Sequence, residues 1–425
     1  MEQVTTNELK KLLTDQTLAL VDIRPADSYN GWPMKEEKRG GHIKGARSLP
    51  FKWSTYIDWI EIVRSKGIST DNMVIVYGYE PEKIDEIAEL FVTAGYKDVK
   101  AYYHFVNEWS SDNSLPMEHL ERFRHLVSPQ WLNDLISGKD RYGTGKFVIC
   151  HAHYRNRKDY EKGHIRGAVP LDTLALESPE TWNRRTPREL NQGLLDLGIT
   201  KDTTVILYGR FSFPKNEDPF PGSSAGHLGA IRCAAIMLYA GVKDVRVLNG
   251  GLQSWLDEGF DLTGEETAPM PAGDFGAKIP VNPGLIIDTP KAKELIKASD
   301  GEIVSVRSWS EWIGEVSGYN YIEKKGRIPG AVFGNCGTDA YHMENYRNLD
   351  HTTKEYHEIS ETWKEAGITP DKHLAFYCGT GWRGSEAFFN AWLMGWPNVS
   401  VYDGGWFEWS NDPDNPVERG IPANQ

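Results

Sequence analysis

The sequence predicts an α/β protein made of three tandem copies of one unit, each a largely parallel sheet flanked by helices. Three recurring stretches point to it. Short apolar runs ending in Tyr-Gly or Tyr-Cys-Gly return as MVIVYG at 73–78, TVILYG at 204–209 and LAFYCG at 374–379. A glycine turn returns as GHIKGA at 41–46, GHIRGA at 163–168 and GRIPGA at 326–331. A closing turn returns in the last two copies as NGGLQSW at 249–255 and DGGWFEW at 403–409. Such internal similarity marks repeated structural units, and it divides the chain into domains at 1–122, 123–275 and 276–425.

In the first copy, VTTNELKKLL from Val4 joins a polar N-cap candidate to an amphipathic run. A strand in LALVDIR at 18–24 ends in Asp22 and Arg24, MVIVYG is the next, a helix follows from about Ile84 to Thr93, and GYKDVKAYY at 95–103 supplies a turn and a last strand. The second copy opens with VSPQWLNDLI from Val127, where Ser128 can cap a helix and Pro129 suits its first position. FVICHAH at 147–153 and TVILYG are its strands, and IRCAAIMLYA at 231–240 is its helix. In the third copy LIIDTPKAKELI begins at Leu285, EIVSVRSWSEW at 302–312 holds the early strand, and a helix is expected from Gly384. Strands this apolar, alternating with helices, suit parallel sheets covered on both faces. Joints are expected at 107–123 and 261–283, the second an irregular Gly- and Pro-rich linker. Residues 211–226 read as an insertion in the second copy, either a lid or packing element or a solvent-exposed decoration.

The chain has 425 residues and a net charge of -13. No dense basic run is present, so a nucleic-acid surface is not expected, and an anionic substrate must be attracted locally. The four cysteines, Cys150, Cys233, Cys336 and Cys378, show neither metal-ligand spacing nor a dense disulfide pattern, so no metal and no organic cofactor is expected. No apolar run is long enough to span a bilayer, and Met1 leads into a polar stretch. As it stands the chain reads as a soluble cytoplasmic monomer, or a periplasmic one if a leader has been removed.

Chemistry concentrates in CGTGWR at 378–383. A loop between a buried strand and a helix can turn the backbone N–H groups of Gly379, Thr380, Gly381, Trp382 and Arg383 toward the sulfur of Cys378. The helix N-terminus adds about half a positive charge, and Arg383 is expected to add a full one. Electropositive sites of this kind favour the thiolate, which is the nucleophile. A buried free cysteine is more often plain core, but two glycines, an arginine and a helix start within six residues favour a reactive site. The equivalent positions in the earlier copies lie around Gly78 and Gly209, without cysteine.

These residues resemble the rhodanese-like sulfurtransferases. DIRPADSY with GHIKGA, GHIRGA, RIPGA, the two Gly-Gly endings and CGTGWR carry the resemblance over nearly the whole chain. It implies that Cys378 takes the sulfane sulfur of a small anionic donor, thiosulfate or 3-mercaptopyruvate, holds it as a persulfide, and passes it to a thiol, cyanide or protein acceptor. The loop N–H groups and Arg383 would hold the anionic sulfur, Thr380 would donate a hydrogen bond or shape the loop, and Cys-Gly-Thr-Gly resembles the loop of mercaptopyruvate enzymes. Where the family has an Asp/Arg pair this chain has Ser305 and Arg307, leaving Arg307 as a structural residue or an accessory one. Where mercaptopyruvate enzymes place two substrate arginines, it has Glu311 and Asn320.

Two other functions remain open. One is a persulfide relay in which the cysteine-free copies dock partner proteins. The other is a cysteine-loop phosphatase or arsenate reductase, which the four residues between Cys378 and Arg383 disfavour, those enzymes using five. Among other residues, His42 and His164 read as structural, His151 and His153 as surface residues, Cys336 as a quiet loop cysteine with a resolving thiol as the alternative, and Trp382, Trp406 and Trp409 as core.

Overall fold

The computed structural model describes residues 1–139, 143–211 and 225–422. The chain forms two compact units, residues 1–124 and 125–425. In the first, α1 (Thr6–Leu12) begins where the Thr5 hydroxyl accepts the Glu8 N–H and the Glu8 carboxylate accepts the Thr5 N–H, a reciprocal capping box. β1 (Leu18–Asp22), β2 (Met73–Tyr77) and β3 (Asp98–Tyr102) pair in the order β3-β2-β1. The two-residue strands Glu2–Gln3 and Arg47–Ser48 widen this sheet at its edges. α2 (Pro81–Thr93) buries Ile84, Ile87, Ala88 and Phe91, the three-and-four spacing of one helical face, in the core over this sheet.

The second unit holds the other two copies. α3 (Pro129–Ile136) starts as expected, with Ser128 Oγ accepting the Trp131 N–H at 3.0 Å and Pro129 in the first turn. β4 (Phe147–His153), β5 (Ala168–Asp172), β6 (Thr204–Gly209) and β7 (Asp244–Leu248) pair in the order β5-β4-β6-β7, with Leu126–Val127 beyond β7. α4 (Ala225–Ala240) follows β6 in the described chain. The third copy supplies α5 (Thr289–Leu295), β8 (Gly301–Ser305), β9 (His373–Tyr377), α6 (Trp382–Leu393) and β10 (Val399–Tyr402). Its sheet runs Ile286–Ile287, β10, β9, β8, Val332–Phe333.

The three sheets share one strand order, and every pairing within them is parallel. The sequence reading found the three central strands of each copy and missed most of the edges, because a two-residue strand has no period to detect. α4 is buried around nearly its whole circumference and mostly apolar, and the reason is tertiary: it packs on β4 and β6 and also on α6. Among the described residues no helix is long and apolar enough to cross a membrane.

Several expectations are corrected. The joint at 107–123 carries structure that was not expected: Phe105–Trp109 forms a helical turn, and Met117–Glu118 pairs antiparallel with His42–Ile43. The helix expected from Gly384 starts two residues earlier, at Trp382. His151 and His153 are buried rather than exposed, because β4 is an interior strand covered on both faces. Burial pulls the pKa of His151 down to about 3, so the ring is neutral. His42 and His164 are structural, as expected: their rings stack on Tyr29 and Tyr160 at 3.6 and 3.7 Å, and each Nδ1 bonds the carbonyl of that same tyrosine. The insertion at 211–226 lies, but for its two ends, outside the described residues.

Candidate active site

β9 ends at Tyr377, and Cys378 follows it, fully buried. Gly381 then takes a left-handed conformation, φ 93°, that turns the chain into α6. Its carbonyl accepts from both the N–H and the hydroxyl of Ser385 at 2.8 Å. No side chain caps α6, and among the described residues no acceptor takes the backbone N–H groups of residues 379–383. That leaves a run of free donors at a helix N-terminus, the arrangement that binds anions.

The closing Gly-Gly turn has a visible purpose here. The Trp406 N–H donates to Cys378 O at 2.8 Å, and the Phe407 N–H donates to Gly379 O at 2.9 Å. Gly405, at φ 54°, makes this approach possible, since a Cβ there would lie 2.7 Å from Gly379 O and 2.9 Å from Cys378 O. The loop carbonyls are thus tied to the following helix, Gly405–Asn411, while the loop N–H groups stay free.

Arg383 does not bring the free positive charge expected of it. Its guanidinium is fully buried and bidentate on Glu311, Nη1 to Oε2 at 2.8 Å and Nη2 to Oε1 at 2.9 Å. Arg307 Nε reaches the same carboxylate at 3.1 Å, and its other nitrogens take the carbonyls of Gly326 and Ser317. Burial opposes the charge on Glu311, yet Arg383 and Arg307 together hold its carboxyl down to about 2. Glu311 therefore replaces the carboxylate that the first copy supplies as Asp22 to Arg24. Arg307 is a brace in this cluster. The substitution was legible as Ser305, but its replacement was not, because Glu311 comes from the next element, where it also caps the helix Trp309–Trp312 through Ser308.

Aromatic rings crowd the sulfur. The Tyr319 ring lies on Gly379, where a Cβ would sit 2.6 Å from it, and the Tyr319 hydroxyl donates to Ala340 O. Tyr321 stacks on Tyr319 at 5.1 Å and hydrogen-bonds Thr380, and Tyr341 meets Tyr319 edge-on at 5.5 Å. Both Tyr319 and Tyr321 have their pKa raised by burial, with Cys378 among the charges that raise it further. Trp182 of the second copy stacks on Tyr321 at 4.6 Å. Trp406 and Trp409 are core, as expected, whereas Trp382 is only half-buried and donates to Glu177 of the second copy. Cys336 lies beside the site, its sulfur accepting from Arg383 Nη1 at 3.1 Å and its thiol pushed up to about 12 by burial. Such a group stays protonated, consistent with the quiet cysteine expected. Sequence reasoning missed Tyr319, Tyr321 and Tyr341; the pattern YNY just ahead of the GRIPGA turn was the available signal.

A model of the rhodanese-like domain matches residues 5–112, 128–258 and 288–412. The chain belongs to the rhodanese family. Among relatives of this rhodanese, the thiosulfate sulfurtransferase YnjE of Escherichia coli strain K12 is 40% identical over 424 residues, 97% of this chain and 93% of that one. The sulfur carrier protein TtuD of Thermus thermophilus is 32% identical over 61% of this chain and 87% of its own. The wild-type structure of EanB superposes with a TM-score of 0.96 at 57% identity, covering 99% of this chain and 98% of that one. EanB variants have also been solved with hercynine, with ergothioneine, and with a cysteine persulfide in a tetrahedral intermediate state with ergothioneine. This rhodanese is a sulfurtransferase.

Proposed function

We propose that Cys378 carries a sulfane sulfur as a persulfide and delivers it to a small imidazole acceptor of the hercynine type. One observation carries this reading. In EanB the tyrosine, the threonine and one of the two further cysteines altered in the solved variants stand at the same distances along the chain from the persulfide cysteine as Tyr319, Thr380 and Cys336 stand from Cys378, while the other altered cysteine falls where this chain has Ser305. The surroundings agree with it. Planar rings and cationic groups are attracted to aromatic walls such as Tyr319, Tyr321, Tyr341 and Trp182. The two guanidiniums that would draw a carboxylate such as that of 3-mercaptopyruvate are already held by Glu311.

The chemistry balances without an outside oxidant. The Cys378 thiolate first attacks the outer sulfur of a donor such as thiosulfate, sulfite leaves with the electrons of the S–S bond, and the persulfide rests in the free N–H groups of the loop. The acceptor's carbon between the two ring nitrogens then releases its proton to solvent and uses the electron pair left behind to attack the outer sulfur. The S–S bond breaks toward Cys378, which is regenerated as thiolate, and a carbon–sulfur bond replaces carbon–hydrogen.

The test is to load the protein with thiosulfate, confirm one added sulfur by intact mass, and add hercynine. Ergothioneine formation that is absent in Cys378→Ser is the expected result. A loaded protein that yields thiocyanate from cyanide but leaves hercynine unchanged would sink the acceptor assignment. It would favour a second reading, a general thiosulfate sulfurtransferase, for which the YnjE relative is the supporting observation. A protein that loads only from a partner's persulfide would favour the relay reading, in line with the carrier protein among the relatives.

A further inference from the structure

The second copy lacks the nucleophile, yet one of its side chains lies against the loop that has it. Arg232, on α4, is fully buried. Its Nε donates to Glu177 Oε1 at 2.7 Å, its Nη2 donates to Trp182 O at 3.1 Å, and the same Nη2 makes a short ion pair with Asp403, the residue that opens the Gly-Gly turn beneath Cys378. Its Nη1 has no partner among the described residues and faces the loop, 3.3 Å from where a Cβ on Gly381 would stand. Glu177 in turn accepts from Trp382 Nε1 with both oxygens at 3.0 Å, holding the first residue of α6. Arg184, also from the second copy, closes the other side of Asp403 through its backbone N–H and its Nη1.

Arg232 thus touches two structures at once. Through Asp403, Glu177 and Gly381 it meets the base and the exit of the sulfur loop. Through the carbonyl of Trp182 it meets the aromatic wall. Trp182 sits at φ 58°, a left-handed backbone that a large side chain adopts only under strain. Strain of this kind persists only where neighbours enforce it, and here the ring it aims stacks on Tyr321, the partner of Thr380.

We propose that Arg232 is a positioning residue for sulfur transfer at Cys378, setting the shape of the persulfide loop and of the aromatic wall together, with Glu177 as the group that orients it. This rests on the persulfide reading above and adds a role for a copy that has no cysteine at the loop position. The charge of Glu177 is then part of the device. Burial raises its carboxyl to about 7 against the pull of Arg232. The groups facing it are Arg232 and Cys233 from α4, Asp403 from the turn, and the Trp382 indole. Above neutrality the carboxylate grips both Arg232 and Trp382. Below it, protonation loosens the grip and transfer slows.

The experiment uses the full chain with thiosulfate to load sulfur and cyanide to discharge it, both steps followed from pH 6 to 8.5. Arg232→Gln is expected to lower the maximal discharge rate about tenfold at pH 8, the scale of a small misplacement of reacting groups, with the thiosulfate KM changed less than about twofold. Arg232→Lys should recover only part of this, since one ammonium cannot serve acceptors laid out for a planar fork. The wild-type rate relative to Glu177→Gln should fall as pH drops through about 7, because the amide keeps an acceptor for Trp382 but cannot titrate. A folded Arg232→Gln that discharges at the wild-type rate overturns the proposal, and so does a Glu177→Gln with the wild-type pH limb. If Arg232→Gln does not fold, the near-isosteric Glu177→Gln decides. Failure of the wild-type protein to take sulfur on Cys378 is a different result, and it removes the persulfide reading on which the proposal stands.

Discussion

The chain at the end of β9 and at the end of β6 stands on the same framework and is held in different ways. In both, a Gly-Gly turn comes up beneath the loop: a Cβ on Gly405 would meet Gly379 O at 2.7 Å, and one on Gly251 would meet Gly209 O at 2.7 Å. In both, the helix that follows is held by a buried ion pair within its own copy. Arg347 of the third copy forms a bidentate pair with Glu386 on α6, whereas Arg232 on α4 pairs with Glu177. The turn itself separates the two. Asp403 draws in two arginines, Arg184 and Arg232, while Asn249 in the same place is uncharged and accepts the Thr353 N–H at 2.8 Å. Charges therefore gather at the turn beneath Cys378. The first copy retains less still, since only Gly78, Tyr79 and Glu80 separate β2 from α2, too short a connection to encircle an atom. The lesson is that a copy without the nucleophile still supplies the two arginines that hold the turn beneath it.

That comparison can be broken most sharply at the sulfur itself. Cys378→Ser should abolish persulfide formation, read as the missing added sulfur in the intact mass, while Cys150→Ser and Cys233→Ser in the second copy leave loading intact. Their thiols are driven up by burial and stay protonated.

Next in size is Glu311→Ala. It strands two buried guanidiniums, and the expected loss is about 3–5 kcal/mol in urea unfolding. The pH dependence sharpens the point. The folded carboxyl lies near 2 against 4.5 for the ordinary group, so its contribution is complete above about 4.5 and is lost as pH falls toward 2. Wild-type stability should drop more steeply over that window than that of Glu311→Gln.

Matched substitutions in the two turns come third. Gly405→Ala and Gly251→Ala should each cost about 1–3 kcal/mol, since both glycines have positive φ and backbone oxygens within 3 Å of the new Cβ. Only Gly405→Ala should also slow sulfur loading, by an order of magnitude, because it pushes directly on the carbonyls of Cys378 and Gly379. Equal slowing by both would mean that the two turns are not functionally distinct.

The smallest effect is expected from Ser128→Ala, which removes the cap of α3. A loss of about 1 kcal/mol in thermal unfolding with unchanged loading would show that the second copy can be weakened away from those two arginines without touching the chemistry.

Much of this molecule was legible in one dimension. The three copies, their central strands and the caps at Thr5 and Ser128 follow from local patterns, namely apolar period, capping chemistry and glycine turns, which act over a few residues. The singularity of Cys378 was equally plain, because the other copies stood beside it for comparison. What tertiary structure decided is where the charges go. Nothing local says that Arg383 spends its guanidinium on Glu311, that Arg232 crosses from the second copy to Asp403, or that Trp182 stacks on Tyr321 beside the loop. Those partners are far apart in sequence, and a side chain of fixed charge pairs with whatever folding brings within about 3 Å of it. Periodicity dictates which residues are buried; only the packed chain dictates which buried charges meet.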